Sequence, residues 1–437
     1  MKSNGRAWRW QAWSAVAMVA AVWLAVGCSG VEYADEHEVR LEFSEGKVSF
    51  DTVFTTLGSA TRVLTVYNRT SSDVELQSVS LVHGRASRFR LNVDGDTSLV
   101  ARHVELLSGD SLLIFVQACI DPNEAGGAFV RTDSIVFSNG QCVPLEAWGR
   151  DAVYHRLRVG DTTWYTVLDC EAFRHDRPHV FLSPAAVLDG HTLTLRAGDE
   201  LYFADGAMLV VDSNARLMVL GSADRPVLFS SLRREEWYRA LPGQWQTVWF
   251  YNGSVGNVVE HAVIENGTGG LRCYPGSELR VRHTVVRHMS DAGIIGQYAT
   301  IEGRNLLIYD CYSSLALLAG GDYRFSHCTM ADYWNYVGRS RDTASVILSN
   351  YYPVEGGLVG GDLRRAEFED CIVWGNWSAG EVAEGRLEGF EFSSSFRHSI
   401  VRGGEWSEDP QFVDPKRHNY RLAEGSPAAG LGYEFDN

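Results

Sequence analysis

One short phrase occurs six times in this chain, and its first four copies are spaced 22 residues apart. A polar residue recurs at His261, His283, Asn305 and His327, then at Asp370 and His398. Two positions earlier stand Val259, Val281, Gly303, Phe325, Phe368 and Phe396, apolar in every copy but the third. Three positions later come Ile264, Val286, Ile308, Met330, Val373 and Val401. The step from His327 to Asp370 is 43 residues, close to two periods, and Val346-Ile347-Leu348-Ser349-Asn350 reads as a looser copy within it. A fixed period of roughly 20–50 residues marks units that stack on one another. The units are β-rich, glycine is abundant at 43 residues, and helix signals are few. The stack therefore reads as a parallel β-helix, a solenoid within an all-β chain.

In such a coil each rung lies about 4.8 Å above the last, so equivalent side chains form columns. The Val/Phe and Ile/Val/Met columns fill the interior. A second, shorter strand shows in Gly270-Leu271 and Gly293-Ile294. The polar column admits two readings, an acid/base or metal-binding ladder and a structural bend. Strand parity favours the bend. The inward positions on either side are five residues apart, an odd number, so alternation breaks between them. Asn, Asp and His tolerate the left-handed backbone that a turn there requires. Cys328 and Cys371, each directly after the polar residue, read as small core residues. No Cys-x-x-Cys or His-x-His spacing predicts a metal site, and no cofactor is expected.

The formal charge is −16, and only three lysines occur, Lys2, Lys47 and Lys416. A surface this acidic repels nucleic acid and other polyanions, so neither nucleic acid nor an acidic polysaccharide is an expected partner. Residues 1–27 hold Lys2, Arg6 and Arg9, then an apolar run from Ala12 to Val26, the pattern of a signal peptide. The run ends Leu24-Ala25-Val26-Gly27-Cys28, which resembles a bacterial lipobox. That resemblance implies cleavage before Cys28, lipidation of Cys28 and an outer-membrane lipid anchor. Residues 28–38 then read as an acidic tether.

Residues 39–150 alternate apolar and polar positions in short runs, among them Arg62–Tyr67, Leu112–Val116 and Ser134–Phe137, the spacing of a β-sandwich. Phe50-Asp51, Tyr67-Asn68, Ser108-Gly109-Asp110-Ser111 and Leu145-Glu146-Ala147-Trp148-Gly149 resemble the Ig-like modules of bacterial surface proteins and of cilia- and spindle-associated proteins. The resemblance implies a spacer or adaptor. Seven cysteines follow Cys28, and Cys119 and Cys142 are placed on neighbouring strands as a candidate disulfide.

From about 155 to 405, short strands roughly nine residues apart (Thr192–Phe203, Met208–Val211, Arg216–Gly221, Pro226–Phe229) lead into the 22-residue register. This succession resembles the right-handed parallel β-helix lipoproteins of Gram-negative bacteria. Residues 406–437, with Asp409-Pro410-Gln411-Phe412-Val413-Asp414-Pro415 and Glu424-Gly425-Ser426-Pro427-Ala428, resemble the closing segment of secreted bacterial β-helix proteins. There that segment caps the last coil.

Many right-handed β-helices are lyases or glycosidases. Asp291, Asp310, Asp322, Asp332 and Asp370 are the acids placed for hydrolysis, and Arg282, Arg287, Arg304 and Arg324 the bases left for a lyase, because the coils lack lysine. The Asn-Thr-Asp, Asp-Asp and Gly-His-Gly motifs of β-helical polygalacturonases are absent. No catalytic residue is assigned. A binding role has more material in aromatics that neutral sugars stack on: Tyr333, Trp334, Tyr336, Tyr351, Tyr352, Trp374 and Trp377, with Trp237, Tyr238, Trp245 and Trp249 at the start of the coil. Residues 331–377, where the period breaks, form the candidate binding region. The expected function is a non-catalytic glycan-binding or adhesion lipoprotein of the cell envelope. A carbohydrate-active enzyme and a structural envelope component are the alternatives. Two carboxyls, or an arginine with a carboxyl, converging in a groove beside the aromatic loops would favour the enzyme; a flat, loop-covered aromatic face without convergent charges would favour binding.

Overall fold

The computed structural model describes residues 33–122, 128–158, 160, 162–334 and 341–435. The signal peptide, Cys28, the first part of the tether and Tyr336 lie outside them. The described chain is all-β, in two compact units divided near residue 150.

In the first unit alternation builds two sheets around one core. A four-stranded antiparallel sheet runs in the order Glu42–Phe43, Arg62–Tyr67, Ser111–Ala118, Phe89–Val93. A five-stranded sheet runs Val48–Phe54, Cys142–Arg150, Ala128–Phe137, Val74–Leu81, Val100–Leu106, with only its first pair parallel. Leu64, Ile114 and Val116 from one sheet meet Val48, Leu76 and Leu145 from the other in a single apolar cluster. Asn68 is fully buried. Its amide donates to the carbonyls of Ser72 and Leu106, at 2.8 and 3.1 Å, and its Oδ1 accepts from the N–H and hydroxyl of Thr70. Gly149 leaves room for the Phe129 ring, which would come within 2.7 Å of a Cβ there.

Two expectations for this unit need correction. Cys119 follows a strand of the four-stranded sheet and Cys142 begins one of the five-stranded sheet, so they are not on neighbouring strands, and all seven described cysteines are free. Residues 34–38 of the acidic tether are docked rather than free. The Ala34 N–H donates to the Asp73 carbonyl at 2.8 Å, and Glu36 accepts from the Gln77 N–H at 3.0 Å.

The second unit is built on a sheet of 23 strands among the described residues, Val153–Val401, whose pairings are parallel and whose chain winds into a nearly closed coil, a parallel β-solenoid. Three strand rows stack along it. One carries Leu195, Val219, Val259, Val281, Gly303, Phe325, Phe368 and Phe396 in register. The next carries Phe229, Ile264, Val286, Ile308, Met330, Val373 and Val401. Both interior columns of the repeat are thus present and in sequence order. Phe368 stacks on Phe325 at 5.4 Å and on Phe396 at 4.4 Å between ring centroids. Each buried aromatic of this kind contributes about 1.5–3 kcal/mol relative to exposure.

The third row holds Leu271, Ile294, Leu315, Val346 and Val382. Val346–Asn350 is therefore not a copy of the polar phrase but the next rung of the shorter strand. The 43-residue step is a single coil enlarged by loops, because Phe325 pairs directly with Phe368. Alternating Val346 and Leu348 suit either interior column; only main-chain pairing decides between them.

Residues 406–435 lie along the flank of the coil. Phe412–Asp414 and Asn419–Leu422 form an antiparallel hairpin. Tyr420 packs on outward-facing Leu307, Tyr309 and Ala331, and Ala428 and Leu431 pack on Ile372 and Ile400. The Gly432 N–H reaches the Asp370 carbonyl at 2.8 Å, and the Glu434 N–H donates to Asn305 Oδ1 at 2.7 Å. The segment covers the side of several rungs, where the resemblance implied a plug over the last one.

Candidate functional site

The polar column is a bend. His261, His283, Asn305, His327, Asp370 and His398 all have left-handed backbone, with φ of 48, 48, 53, 52, 53 and 46°. Their side chains stack outward. The rings of His261 and His283 are 4.8 Å apart, Asn305 Nδ2 lies 2.9 Å from His283 Nδ1, and Asp370 contacts His398 at 2.5 Å and His327 at 3.5 Å.

A second ladder runs five residues behind the first and escapes a reading that follows only one column. Asn266, His288, Asp310 and Asp332 also recur every 22 residues. The first three have φ of 67, 57 and 48°. Each directly follows a rung of the Ile/Val/Met strand, where Glu265, Arg287, Tyr309 and Ala331 pair in register. The sequence signal was available, namely the same period carried by the same residue types.

The acids considered for hydrolysis are each engaged by arginine or histidine. Asp291 pairs with Arg272 at 3.2 Å, Asp322 with Arg365 at 3.1 Å, Asp310 with His418 at 2.9 Å and Asp370 with the two ladder histidines. Arg282 and Arg287 pair with Glu302 and Glu265 at 3.4 and 2.6 Å. Asp332 is wholly buried beside Arg341, which also holds Glu381. Burial raises the Asp332 carboxyl to about 7 although Arg341, Ser314 Oγ and the Cys311 N–H oppose the shift.

The aromatics of 331–377 separate into different environments. Tyr333 is half-buried, its ring 6.2 Å from that of Tyr420 under the C-terminal segment, and burial pushes its hydroxyl pKa up. Trp374 packs with Ile372 and Ile400 in the neighbouring cluster, with the Arg402 guanidinium 5.8 Å from its ring. Trp334 is buried against Tyr312 at 5.4 Å. Trp377 is half-buried, its backbone N–H donating to Glu381 at 2.9 Å. Tyr351 and Tyr352 stand on the hairpin Tyr351–Val354/Gly357–Gly360, and Tyr352 is exposed.

A concave aromatic site forms instead near the start of the coil. A cavity of about 200 Å³ is lined by Gln246, Thr268, Trp249, Arg272 and Tyr274 with Met208. Trp249 and Arg272 occupy equivalent positions on adjacent rungs. The Trp249 ring meets Tyr274 edge-on at 4.9 Å and Tyr251 at 5.5 Å. Trp249 Nε1 and Arg272 Nε are buried donors with no acceptor among the described residues. Asp291 holds the far side of the Arg272 guanidinium. The groove thus combines apolar ring faces, neutral amide and hydroxyl groups and one charge-compensated cation. That set suits the C–H faces and hydroxyls of a sugar.

No protein-family model matches the chain, and a search of the curated proteins finds no match.

Proposed function

We propose that this chain is a cell-envelope lipoprotein, anchored in the outer membrane through Cys28, that binds glycan without cleaving it. In this reading the coil is a right-handed parallel β-helix, and the first unit is an Ig-like sandwich acting as a spacer. The groove at Trp249 carries the binding proposal. A sugar ring stacked on Trp249 or Tyr274 would bury apolar C–H surface. Its hydroxyls would exchange hydrogen bonds with Gln246, Thr268 and the Arg272 guanidinium. Neutral glycans are favoured because Asp291 compensates Arg272 and the chain as a whole is acidic. Tyr251 and Tyr274, with ring centroids 6.2 Å apart, extend the aromatic surface along the coil and suit a ligand longer than one sugar.

One observation favours a carbohydrate-active enzyme as a second reading. Arg272 and Asp291 do converge at the aromatic groove. The same contact occupies Arg272 with Asp291 at 3.2 Å, so the pair is engaged internally. A glycan array read alongside product analysis separates the two. Binding of neutral oligosaccharides without turnover, weakened about tenfold or more by Trp249→Ala, is the expected result. Turnover abolished by Asp291→Asn would establish the enzyme. Equal binding by wild type and Trp249→Ala would remove the groove from either account.

A further inference from the structure

We propose that His288, Asp310 and His418 bind one divalent transition-metal ion, zinc in the first instance, that fastens the C-terminal segment to the flank of the coil. His288 and Asp310 sit on consecutive rungs of the second polar ladder, and His418 comes from the C-terminal hairpin, 108 residues after Asp310. Their donor atoms all lie within 4.8 Å of one another, and His418 Nδ1 is 2.9 Å from Asp310 Oδ2. Zinc bonds to imidazole nitrogen and carboxylate oxygen are about 2.0–2.2 Å, which places tetrahedral ligands roughly 3.3 Å apart. Small side-chain rotations therefore bring the three donors onto one ion.

Burial keeps the His288 ring uncharged. His288 and Asp310 are buried, at 5% and 1% exposure, and burial favours the uncharged imidazole that a metal needs. Arg287, the nearest fixed cation along the chain, is directed elsewhere, onto Glu265 at 2.6 Å and the Tyr309 hydroxyl at 2.8 Å. The rings of Tyr309 and Tyr420 wall the site, with Tyr309 5.7 Å from His288, 5.4 Å from His418 and 5.0 Å from Tyr420.

Two further features point the same way. Tyr420 is 1% exposed, its hydroxyl has no hydrogen-bond partner among the described residues, and the Asp310 carboxylate is the charged group acting on it most strongly. A ligand water in the fourth coordination position would supply that partner. The ladder also changes chemistry where it meets His418. At Asn266 the bend is closed by an amide donating to the Arg239 and Leu241 carbonyls, and His288 on the next rung also bonds the Arg239 backbone, whereas Asp310 meets His418. Backbone conformation alone would be served equally well by Asn at all three. A metal there would have a structural consequence: residues 406–435 would be clamped across the rungs they cover.

The test uses the full, tag-free chain, purified in detergent, stripped with chelator and titrated with zinc chloride and separately with cobalt chloride. One equivalent of zinc per chain is expected, with a higher unfolding temperature and, for cobalt, visible absorption bands of a low-coordinate nitrogen/oxygen site. His418→Ala changes a partly exposed side chain outside the coil and should weaken zinc binding about 100-fold or more and abolish the bands. Asp310→Asn keeps the shape and the left-handed preference of the residue and should do the same, so it decides the matter if His418→Ala fails to fold. Absence of stoichiometric binding by the wild-type chain, or unchanged binding in a folded variant of either kind, would overturn the proposal and leave His418–Asp310 as an ordinary polar contact.

Discussion

Phe325 stacks on Phe368 with ring centroids 5.4 Å apart and 11° between their planes, although 43 residues of chain separate them. Adjacent rungs are defined by this contact and not by sequence distance. Phe368 also carries Phe396, so Phe368→Ala opens a cavity between two stacked rings. It should cost about 3–5 kcal/mol, read as a shift in the urea midpoint of the second unit.

The loops that enlarge the same coil should be dispensable. In the hairpin Tyr351–Val354/Gly357–Gly360, positions 352–359 are exposed. Replacing residues 352–359 with a two-residue turn should leave the unfolding temperature within a few degrees of wild type, because little apolar surface is lost. If glycan binding were lost with the hairpin, the ligand would lie on Tyr351 and Tyr352 and not at Trp249.

The polar ladder should behave as backbone chemistry. His283→Val forces a β-branched residue to φ near 48° and should cost about 1–3 kcal/mol, whereas His283→Gly or His283→Asn should cost less. Denaturant titration of the three variants gives that order. A ladder acting through imidazole chemistry would instead show the same loss of function in all three, whatever their stability.

The buried group around Arg341 has one guanidinium for two carboxylates, Asp332 and Glu381, all with wholly buried side chains. Glu381 takes hydrogen bonds from Arg341, Ser345 and the Trp377 backbone N–H, while burial raises the Asp332 carboxyl against its own donors. That carboxyl titrates at about 7 in the fold against 3.8 ordinarily. Between those values the folded chain binds more protons than the unfolded chain. Stability should therefore fall as pH rises from about 4 to about 7, by at most about 1.4 kcal/mol per pH unit from this group. Asp332→Asn should flatten that slope in thermal melts across the range.

In the first unit, Asn68→Ala removes four hydrogen bonds at a fully buried position. A loss of about 2–4 kcal/mol is expected, with the unfolding transition of that unit as the readout. A loss below about 1 kcal/mol would mean that water replaces the amide.

Much of this architecture was legible because it is written in local periods. The 22-residue beat, the two interior columns and the parity break at His261 and its equivalents depend only on side chains near one another in sequence. Alternation likewise marked the strands of the first unit. Long-range pairing was not legible. Val346–Leu348 fits either interior column by hydrophobicity, and main-chain hydrogen bonds to Leu315–Leu317 alone decide its place. The candidate sites share that origin. Trp249 and Arg272 become neighbours only when one rung lies on the next, and the aromatics of 331–377 separate because the C-terminal segment covers some and the loops turn away others. His418 gives no sign in sequence of meeting Asp310. The repeat by itself determined that this chain winds into stacked β rungs, since burying two apolar columns at that period permits little else. The tertiary structure decided which rungs adjoin and what lies across their flank, because those choices rest on contacts between residues the chain holds far apart.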